Sequence, residues 1–438
     1  MQKLVPTRPV ALLGVNAAAS VLKRFYVVQR EMVLMEAGWL AAAEHWECKL
    51  LLAECIWQDG LTLKELRGRV LELRYPERRL ASDDDRPLVD FVRGWREAPG
   101  PAAFVAGLST VLKPWLRGLY AGYLGISNPL NDAPSNRILH QAVSDMDDQL
   151  VRWSRALSGY LQVYPEQAAA AQDWEQALRR RLTAVPEDWI LHCRDPFLPE
   201  ALPPPTGAVP FGIARLGRRD KRFASCRFGW PDMLDPERGP GEGLHLQLRQ
   251  CVHHLNEVWA VEMAAAIICD FSERAPPEFL DDATRWCYDE ARHARMGFVR
   301  LEKFGFAMEE MPLGSFSYDA AAESDSLIRL GILYYFETKY IKTKSDRVKI
   351  FSDFGDPVSS HDMDYDWADE LIHTYYGNRW LTHLLEQEGR SSTVNEIKGE
   401  SERCIARIRA DATEKDRGRT EELYEAMLRK AKSLAVLP

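Results

Sequence analysis

The sequence predicts an all-α protein with two helical domains, and three observations support this prediction. Apolar residues recur at helical spacing through most of the 438 residues, and no series of alternating strand-like segments occurs. Proline and glycine are concentrated in a central region that separates the helical segments. Hydrophobic residues make up 46% and charged residues 28% of the chain, as expected for a globular protein. We therefore expect two four-helix bundles joined by a Pro/Gly-rich connector.

The first bundle is expected over residues 1–195, where long amphipathic segments follow one another. Helices of this kind bury their apolar faces against each other, which makes a bundle the natural architecture. The segments with helical periodicity are 19–60, 61–76, 101–125 and 135–161. At the N-terminus, Pro9 and Asn16 interrupt a short apolar patch, so we do not expect a cleaved targeting signal.

Residues 196–243 are predicted to form an extended connector, because they contain too much proline and glycine for regular helix. Within this segment, the basic strip 215–227 carries six cations and one acid, with aromatic residues in it and beside it. Such a strip can bind a phosphate-bearing ligand. A solvated face of the connector is the interpretation that we favour.

The second bundle is expected over residues 244–392, followed by a polar helical tail over 393–438. Its helical segments are 244–272, 278–305, 324–344 and 361–389. The net charge of −9 gives no overall attraction to nucleic acid or anionic lipid. None of the eight cysteines forms a C-x-x-C pair, and no apolar run is long enough to span a membrane. These features are typical of a cytoplasmic protein with reduced thiols.

Two Glu-x-x-His motifs lie well inside predicted helices of the second bundle. They are Glu290/His293 and Glu370/His373. A spacing of three residues puts the carboxylate and the imidazole on one helical face, where both can reach the same metal ion. A third match adjoins the glycine-rich connector, and we regard it as a coincidence.

Two isolated acids extend this pattern. Glu262 is the only charge in "VWAVEMAAAIIC", and Glu337 is the only acid in "LIRLGILYYFETKYIKTK". A carboxylate that faces a packed core is costly unless a cation or hydrogen bonds compensate it. The intervals 290−262 = 28 and 370−337 = 33 suit antiparallel helix hairpins, and 337−293 = 44 suits a long crossover. One Glu from each of two helices and a Glu-x-x-His from each of two others is the di-iron carboxylate pattern of ferritin-like bundles.

The candidate metal ligands are thus Glu262, Glu290, His293, Glu337, Glu370 and His373. Carboxylate and imidazole ligands suit iron, and manganese is also compatible. Asp289 and Asp369 precede the two motif glutamates, and a metal-bound imidazole usually donates its other N–H to a carboxylate. We expect each aspartate to contact the histidine of the other motif. Arg292 either holds such an aspartate or forms a surface ion pair.

Aromatic residues crowd this region, and at helical spacing they are expected to be core residues. They are Trp259, Trp286, Tyr334, Tyr335, Tyr375, Tyr376 and Trp380.

With these residues in view, residues 244–390 resemble a bacterial ferritin-like family classed as a domain of unknown function. The stretches that carry the resemblance are "AVEMA", "DEARH", "YFETKYI" and "DELIHTYYGNRW". The resemblance implies a di-iron centre at the candidate ligands, but it supplies no substrate. A more distant likeness extends to di-iron enzymes that hydroxylate modified tRNA bases.

The N-terminal half also resembles a ferritin-like bundle, through residues 49–74 and 128–153. Where a Glu-x-x-His would be expected, this half has Gln58–Leu61 and Asp145–Asp148. We therefore expect a structural or partner-binding bundle without metal.

The function expected from these features is that of a di-iron oxidoreductase, which uses O₂ to hydroxylate or N-oxygenate a small organic substrate. An external electron donor is compatible with this chemistry. The alternatives are a ferroxidase or iron-handling protein, a tRNA-modifying hydroxylase, and a pair of interaction modules with a vestigial site. We expect a monomer or small homo-oligomer, with no membrane or nucleic-acid partner.

Overall fold

The computed structural model describes the ranges 13–80, 85–183, 185, 190–191, 211–322 and 324–435. Within these ranges the prediction of an all-α protein is confirmed, because helices dominate and the strands form one short pair. The patch considered as a targeting signal lies mostly outside the described residues, and so does the proline-rich first half of the predicted connector. No helix in the described ranges combines the length and apolar character needed to cross a bilayer.

The described residues before 184 form seven α-helices. They are α1 (Val15–Leu40), α2 (Trp46–Glu72), α3 (Arg86–Arg93), α4 (Pro101–Gly107), α5 (Lys113–Ile126), α6 (Ala133–Val163) and α7 (Ala168–Thr183). A π-helical turn at Leu108–Leu112 joins α4 to α5.

The residues after 210 form the remaining helices and the strand pair. They are β1 (Ala224–Ser225), α8 (Pro231–Leu234), α9 (Leu244–Asn256), α10 (Val258–Phe271), α11 (Pro277–Lys303), β2 (Pro312–Leu313), α12 (Phe316–Asp319), α13 (Ser326–Asp353), α14 (Pro357–Gln387), α15 (Val394–Ala410) and α16 (Glu414–Leu434). The two strands are parallel, with Ala224 opposite Pro312.

The chain divides into two compact units, whose boundaries differ from the predicted ones. The first unit comprises 1–39 and 55–212, and the second comprises 40–54 and 213–438. Segment 40–54 joins the second unit through polar contacts: the Trp46 amide donates to Asp220 at 2.8 Å, and Lys49 Nζ donates to the Arg218 carbonyl at 2.9 Å.

Residues 213–243 of the predicted connector and the described part of the predicted tail also fold within the second unit. The Thr420 hydroxyl donates to the Phe228 carbonyl at 3.0 Å, and Arg409 Nε donates to the Met233 carbonyl at 2.8 Å. These contacts tie α15 and α16 to residues 228–233. The described part of the connector is therefore a packed element of this unit.

A buried lysine occupies the centre of the first unit. Lys113 Nζ of α5 lies 2.8 Å from Glu36 of α1, 2.6 Å from Asp59 of α2 and 2.8 Å from Gln149 of α6. Burial raises the pKa of Glu36 to about 8. Burial opposes the charge of Lys113, but the neighbouring carboxylates raise its pKa above the ordinary value. The ammonium group thus supplies the positive charge that the buried Asp59 carboxylate needs.

Four helices of the second unit contact one another in a closed cycle: α10 with α11, α11 with α14, α14 with α13, and α13 with α10. Side-chain caps fix where two of them begin, since Asp325 accepts from the Leu327 amide and Asp356 from the Ser359 amide. Gly355, with φ of 80°, allows the chain to reverse between α13 and α14.

Candidate metal centre

Five of the six predicted ligands meet in the interior of the second unit. They are Glu290 and His293 of α11, Glu337 of α13, and Glu370 and His373 of α14. All five are buried. Ligand atoms from four of them, all except His293, lie within 4.8 Å of one another.

Glu262 does not belong to this cluster, so this part of the predicted ligand set needs correction. Its side chain is fully buried and contacts Lys49 Nζ, and it accepts from Arg219 Nη1 at 2.6 Å. The two cations come from segments distant in sequence, so the sequence shows no partner near Glu262. Its carboxylate is compensated by ion pairs rather than by a place among the candidate ligands.

Glu257, rather than the predicted Glu262, lies beside the candidate ligand His293. It lies at the junction between α9 and α10, and its Oε2 is 3.4 Å from Nδ1 of His293. Glu257, Glu290 and His293 form a second group with ligand atoms within 4.8 Å. The sequence contained a signal for this residue, because the intervals 290−257 = 33 and 370−337 = 33 are equal.

Two neighbouring residues hold the helix junction in place. The Asn256 side chain donates to the Pro312 carbonyl at 2.9 Å and accepts from the Gly314 amide at 2.7 Å. On α11, a methyl group at Gly297 would overlap the backbone of Leu255. Glycine therefore allows α9 and α11 to approach closely, which brings Glu257 to His293.

Both histidines turn Nδ1 toward the glutamates and Nε2 toward an aspartate. His293 Nε2 lies 3.2 Å from Asp369, and His373 Nε2 lies 3.4 Å from Asp289. Each pair joins the two motifs, as the sequence leads us to expect. Arg292 Nη1 lies 2.7 Å from Asp289 and 2.9 Å from Asp369, so it holds both aspartates.

The pKa values within the cluster show how strongly its groups interact. Burial disfavours the Glu290 carboxylate, but the neighbouring imidazoles of His293 and His373 lower its pKa to about 2. Burial and the Glu290 charge raise the pKa of Glu370 to about 8. Burial opposes the charged form of His373, but Asp289 and Glu290 raise its pKa to about 9. The pKa of His293 is also raised, because Asp366, Asp369, Glu257 and Glu290 together outweigh its burial.

Several buried ligand atoms of the cluster have no hydrogen-bond partner among the described residues. They are Glu257 Oε2, Glu370 Oε2, His293 Nδ1 and His373 Nδ1. Buried polar atoms are almost always satisfied, so converging unsatisfied oxygen and nitrogen atoms suit metal ions. Four carboxylates and two neutral imidazoles match the charge of two divalent cations.

A further layer of buried charge surrounds the ligands and was missed from the sequence. Lys344 Nζ lies 2.7 Å from Asp366 and 2.8 Å from Glu370. His254 Nε2 lies 3.5 Å from the other Asp366 oxygen. Asp366 precedes Glu370 by four residues and therefore shares its helical face, which is the signal that could have revealed it.

A cavity of about 100 Å³ reaches the cluster. Its lining includes the side chains of Glu257, Glu290, Glu337 and Glu370. Aromatic side chains also line it, among them Trp259, Phe316, Phe336 and Tyr340. A mostly apolar wall beside a few converging polar groups is typical of a small-molecule site.

Only some of the aromatic residues that we expected in the core are buried. Trp286, Tyr335 and Trp380 are buried, whereas Tyr375 is exposed. Trp286 also has a polar contact, because its Nε1 donates to Glu290 at 3.0 Å. It therefore helps to orient a candidate ligand.

Several cations of the basic strip are engaged in ion pairs. Arg219 pairs with Glu262, and Arg227 Nη1 lies 3.4 Å from Asp416. Arg222 Nη2 lies 2.6 Å from Asp220. These three cations help to pack the strip, whereas Arg215, Arg218 and Lys221 are exposed. The solvated face that we expected is therefore present only in part.

Comparison with known proteins relates part of the chain to a protein family. No curated protein and no solved structure matches the chain. Residues 227–423 match a protein family described as "Protein of unknown function (DUF455)". These residues include every member of the carboxylate–histidine cluster. The region that carries the cluster is therefore similar to the DUF455 family, a domain of unknown function.

Proposed function

We propose that the second unit is a ferritin-like bundle that holds two metal ions, with iron the expected metal. The proposed ligands are Glu257, Glu290, His293, Glu337, Glu370 and His373. The proposed activity is the O₂-dependent oxidation of a small organic substrate. The observation that carries this proposal is the convergence of two ligand groups on Glu290.

The ligand groups support two adjacent ions rather than one. One group contains Glu337 and His373, the other contains Glu257 and His293, and Glu290 is common to both. Each helix hairpin thus contributes one glutamate and one Glu-x-x-His, which matches the two-metal pattern of carboxylate bundles. When bound, a pair of iron ions supplies the redox chemistry that reduces O₂.

The surrounding residues hold the ligands in position. Asp289 and Asp369 fix the two imidazole rings so that Nδ1 faces the carboxylates. Lys344 holds one oxygen of Glu370, and burial keeps bulk water from competing for these contacts.

The cavity favours oxidation of an organic molecule over iron handling. A ferroxidase needs the same ligands but no organic pocket, whereas this cavity joins the candidate ligands to aromatic walls. Hydroxylation would insert one oxygen atom of O₂ into the substrate and reduce the other to water. An external electron donor would supply the electrons for that reaction.

The experiment combines metal analysis with O₂ consumption. After anaerobic reconstitution with iron(II), the wild-type protein should bind about two metal ions per chain. Glu290→Ala and His373→Ala should lose metal and O₂ consumption while circular dichroism shows a largely intact helical fold. A wild-type stoichiometry near zero would contradict the proposal, and so would full metal content in both variants.

A further inference from the structure

Three arginines line the cavity in addition to the carboxylates. They are Arg249 of α9, Arg347 of α13 and Arg409 of α15. Arg249 precedes Glu257 by 257−249 = 8 residues, and Arg347 follows Glu337 by 347−337 = 10 residues. At the helical rise, their backbone positions lie about 12 and 15 Å further along the helices. The arginines and the candidate ligands therefore mark different ends of the cavity.

Arg249 is buried and only partly satisfied. Its side chain lies in the helix interface with 5% of the residue exposed. Nε and Nη2 each lie 2.6 Å from Asp232. Nη1 is buried and has no hydrogen-bond partner among the described residues. A buried guanidinium N–H without an acceptor is costly, so this atom points to a missing acceptor.

Among the described residues, the other two arginines donate only to neutral acceptors. Arg347 Nη1 donates to the amide oxygen of Gln250 at 3.1 Å, and Arg409 Nε donates to the Met233 carbonyl at 2.8 Å. Burial, with a contribution from the charge of Arg249, lowers the pKa of Arg347 to about 10, so it stays charged at neutral pH.

The charges at this end of the cavity do not balance. Asp232 is the only carboxylate that lines it there, and His253 Nε2 also contacts Asp232 at 2.8 Å. Three guanidinium groups therefore face one carboxylate among the described lining residues. Arginine is well suited to bind carboxylate or phosphate, because its N–H groups match two oxygen atoms at once.

We propose that the substrate is a compact organic anion whose carboxylate or phosphate group binds Arg249, Arg347 and Arg409. Its carbon skeleton then lies against Trp259 and Phe336 and extends toward the candidate metal ligands. This inference rests on the proposed function, since it names the substrate class of the same site. The cavity of about 100 Å³ requires a small molecule, because an apolar cavity of about 150 Å³ accommodates benzene.

Calorimetry with matched probes tests the inference. The probes are straight-chain carboxylates of increasing length, their primary amides, and the corresponding monophosphate esters. At least one anion should bind both metal-free and manganese-loaded protein, and its neutral amide should bind at least about tenfold more weakly. The metal-free arm excludes direct coordination to a metal as the cause, and the two anion series distinguish carboxylate from phosphate.

Two variants and a control complete the test. Arg347→Gln and Arg409→Gln should each weaken binding of that anion about tenfold or more, with metal content unchanged. Arg429→Gln removes an exposed arginine on α16 and should leave binding unchanged. Circular dichroism checks that each variant folds.

The outcomes separate this inference from the proposed function. Metal binding without binding of any anion in the panel overturns the inference alone. Equal binding of anions and amides also overturns it, as does anion binding that neither arginine variant weakens. Arginine-dependent anion binding by a protein that binds no metal supports the inference about the ligand and overturns the proposed metal chemistry.

Discussion

Glu257 Oε2 lies 3.4 Å from Nδ1 of His293, although Glu257 sits at a break between two helices and His293 lies in the middle of a third. This contact completes a second ligand group beside the one that contains His373. With Glu257 as a ligand, the two glutamates of each helix hairpin are separated by the same number of residues, because 290−257 = 33 and 370−337 = 33. The proposed two-metal site depends on this contact more than on any other.

The aspartates that contact Nε2 of the two histidines should control metal affinity. Asp369→Asn should weaken metal binding about 10- to 100-fold, because the amide cannot replace the carboxylate that orients His293. Competition with a chelator of known affinity measures this change. Asp364→Asn alters an exposed aspartate on the same helix and should leave the affinity as in wild type. Equal affinities for wild type and Asp369→Asn would contradict the assigned role.

The close approach of α9 and α11 should require Gly297. Gly297→Ala should lower the free energy of unfolding by about 1–3 kcal/mol and reduce metal content, because the methyl group overlaps the α9 backbone. Denaturant unfolding and metal analysis check both effects. Gly418→Ala places the same methyl group in open space on α16 and should stabilise the protein by up to about 1 kcal/mol. Matching behaviour of the two variants would exclude the packing explanation.

Lys113 should be essential to the stability of the first unit. Lys113→Met should cost about 3–5 kcal/mol, because it leaves the buried carboxylate of Asp59 without its cation. Thermal unfolding followed by circular dichroism measures the loss. Adding Asp59→Asn to the same chain should recover part of it, since the uncompensated charge is then removed. A loss below about 1 kcal/mol would show that Asp59 is neutral without the lysine.

Metal binding should release protons and weaken as the pH falls. In the metal-free protein, carboxylates raise the pKa of His373 to about 9 and that of His293 above its ordinary value, despite burial. Both imidazoles are therefore protonated at pH 7, and so is Glu370, whose pKa burial and the Glu290 charge raise to about 8. Each of these three groups must lose a proton to bind metal. Calorimetry of manganese(II) binding in buffers of different ionisation enthalpy should show release of about three protons per chain. Binding that leaves the proton count unchanged would contradict this account.

The sequence predicts the parts of the site that lie on single helices. Glu290 and His293 are one turn apart, so their juxtaposition needs only the helix itself. Glu262 was wrongly placed among the ligands because its cations, Lys49 and Arg219, are brought to it by the tertiary fold. An isolated acid in an apolar segment shows that compensation is needed, but it does not show whether a metal or an ion pair provides it.

The domain boundaries show the same difference between what a local sequence pattern predicts and what the tertiary fold determines. Helical periodicity predicts that residues 40–54 are helical, whereas in the structure α1 ends at Leu40 and α2 begins only at Trp46. It gives no information about which unit this segment joins. That choice depends on contacts such as the one between the Trp46 amide and Asp220, whose partners are 174 residues apart.

The most direct test of the central claim compares metal content in two single variants, Glu257→Gln and Glu262→Gln. Both replace a largely buried glutamate with its neutral isostere, and the two positions are only five residues apart. After anaerobic reconstitution with iron(II), Glu262→Gln should retain about two metal ions per chain, and Glu257→Gln should retain about one or fewer. The opposite pattern, with full metal content in Glu257→Gln and loss in Glu262→Gln, would contradict the proposed site.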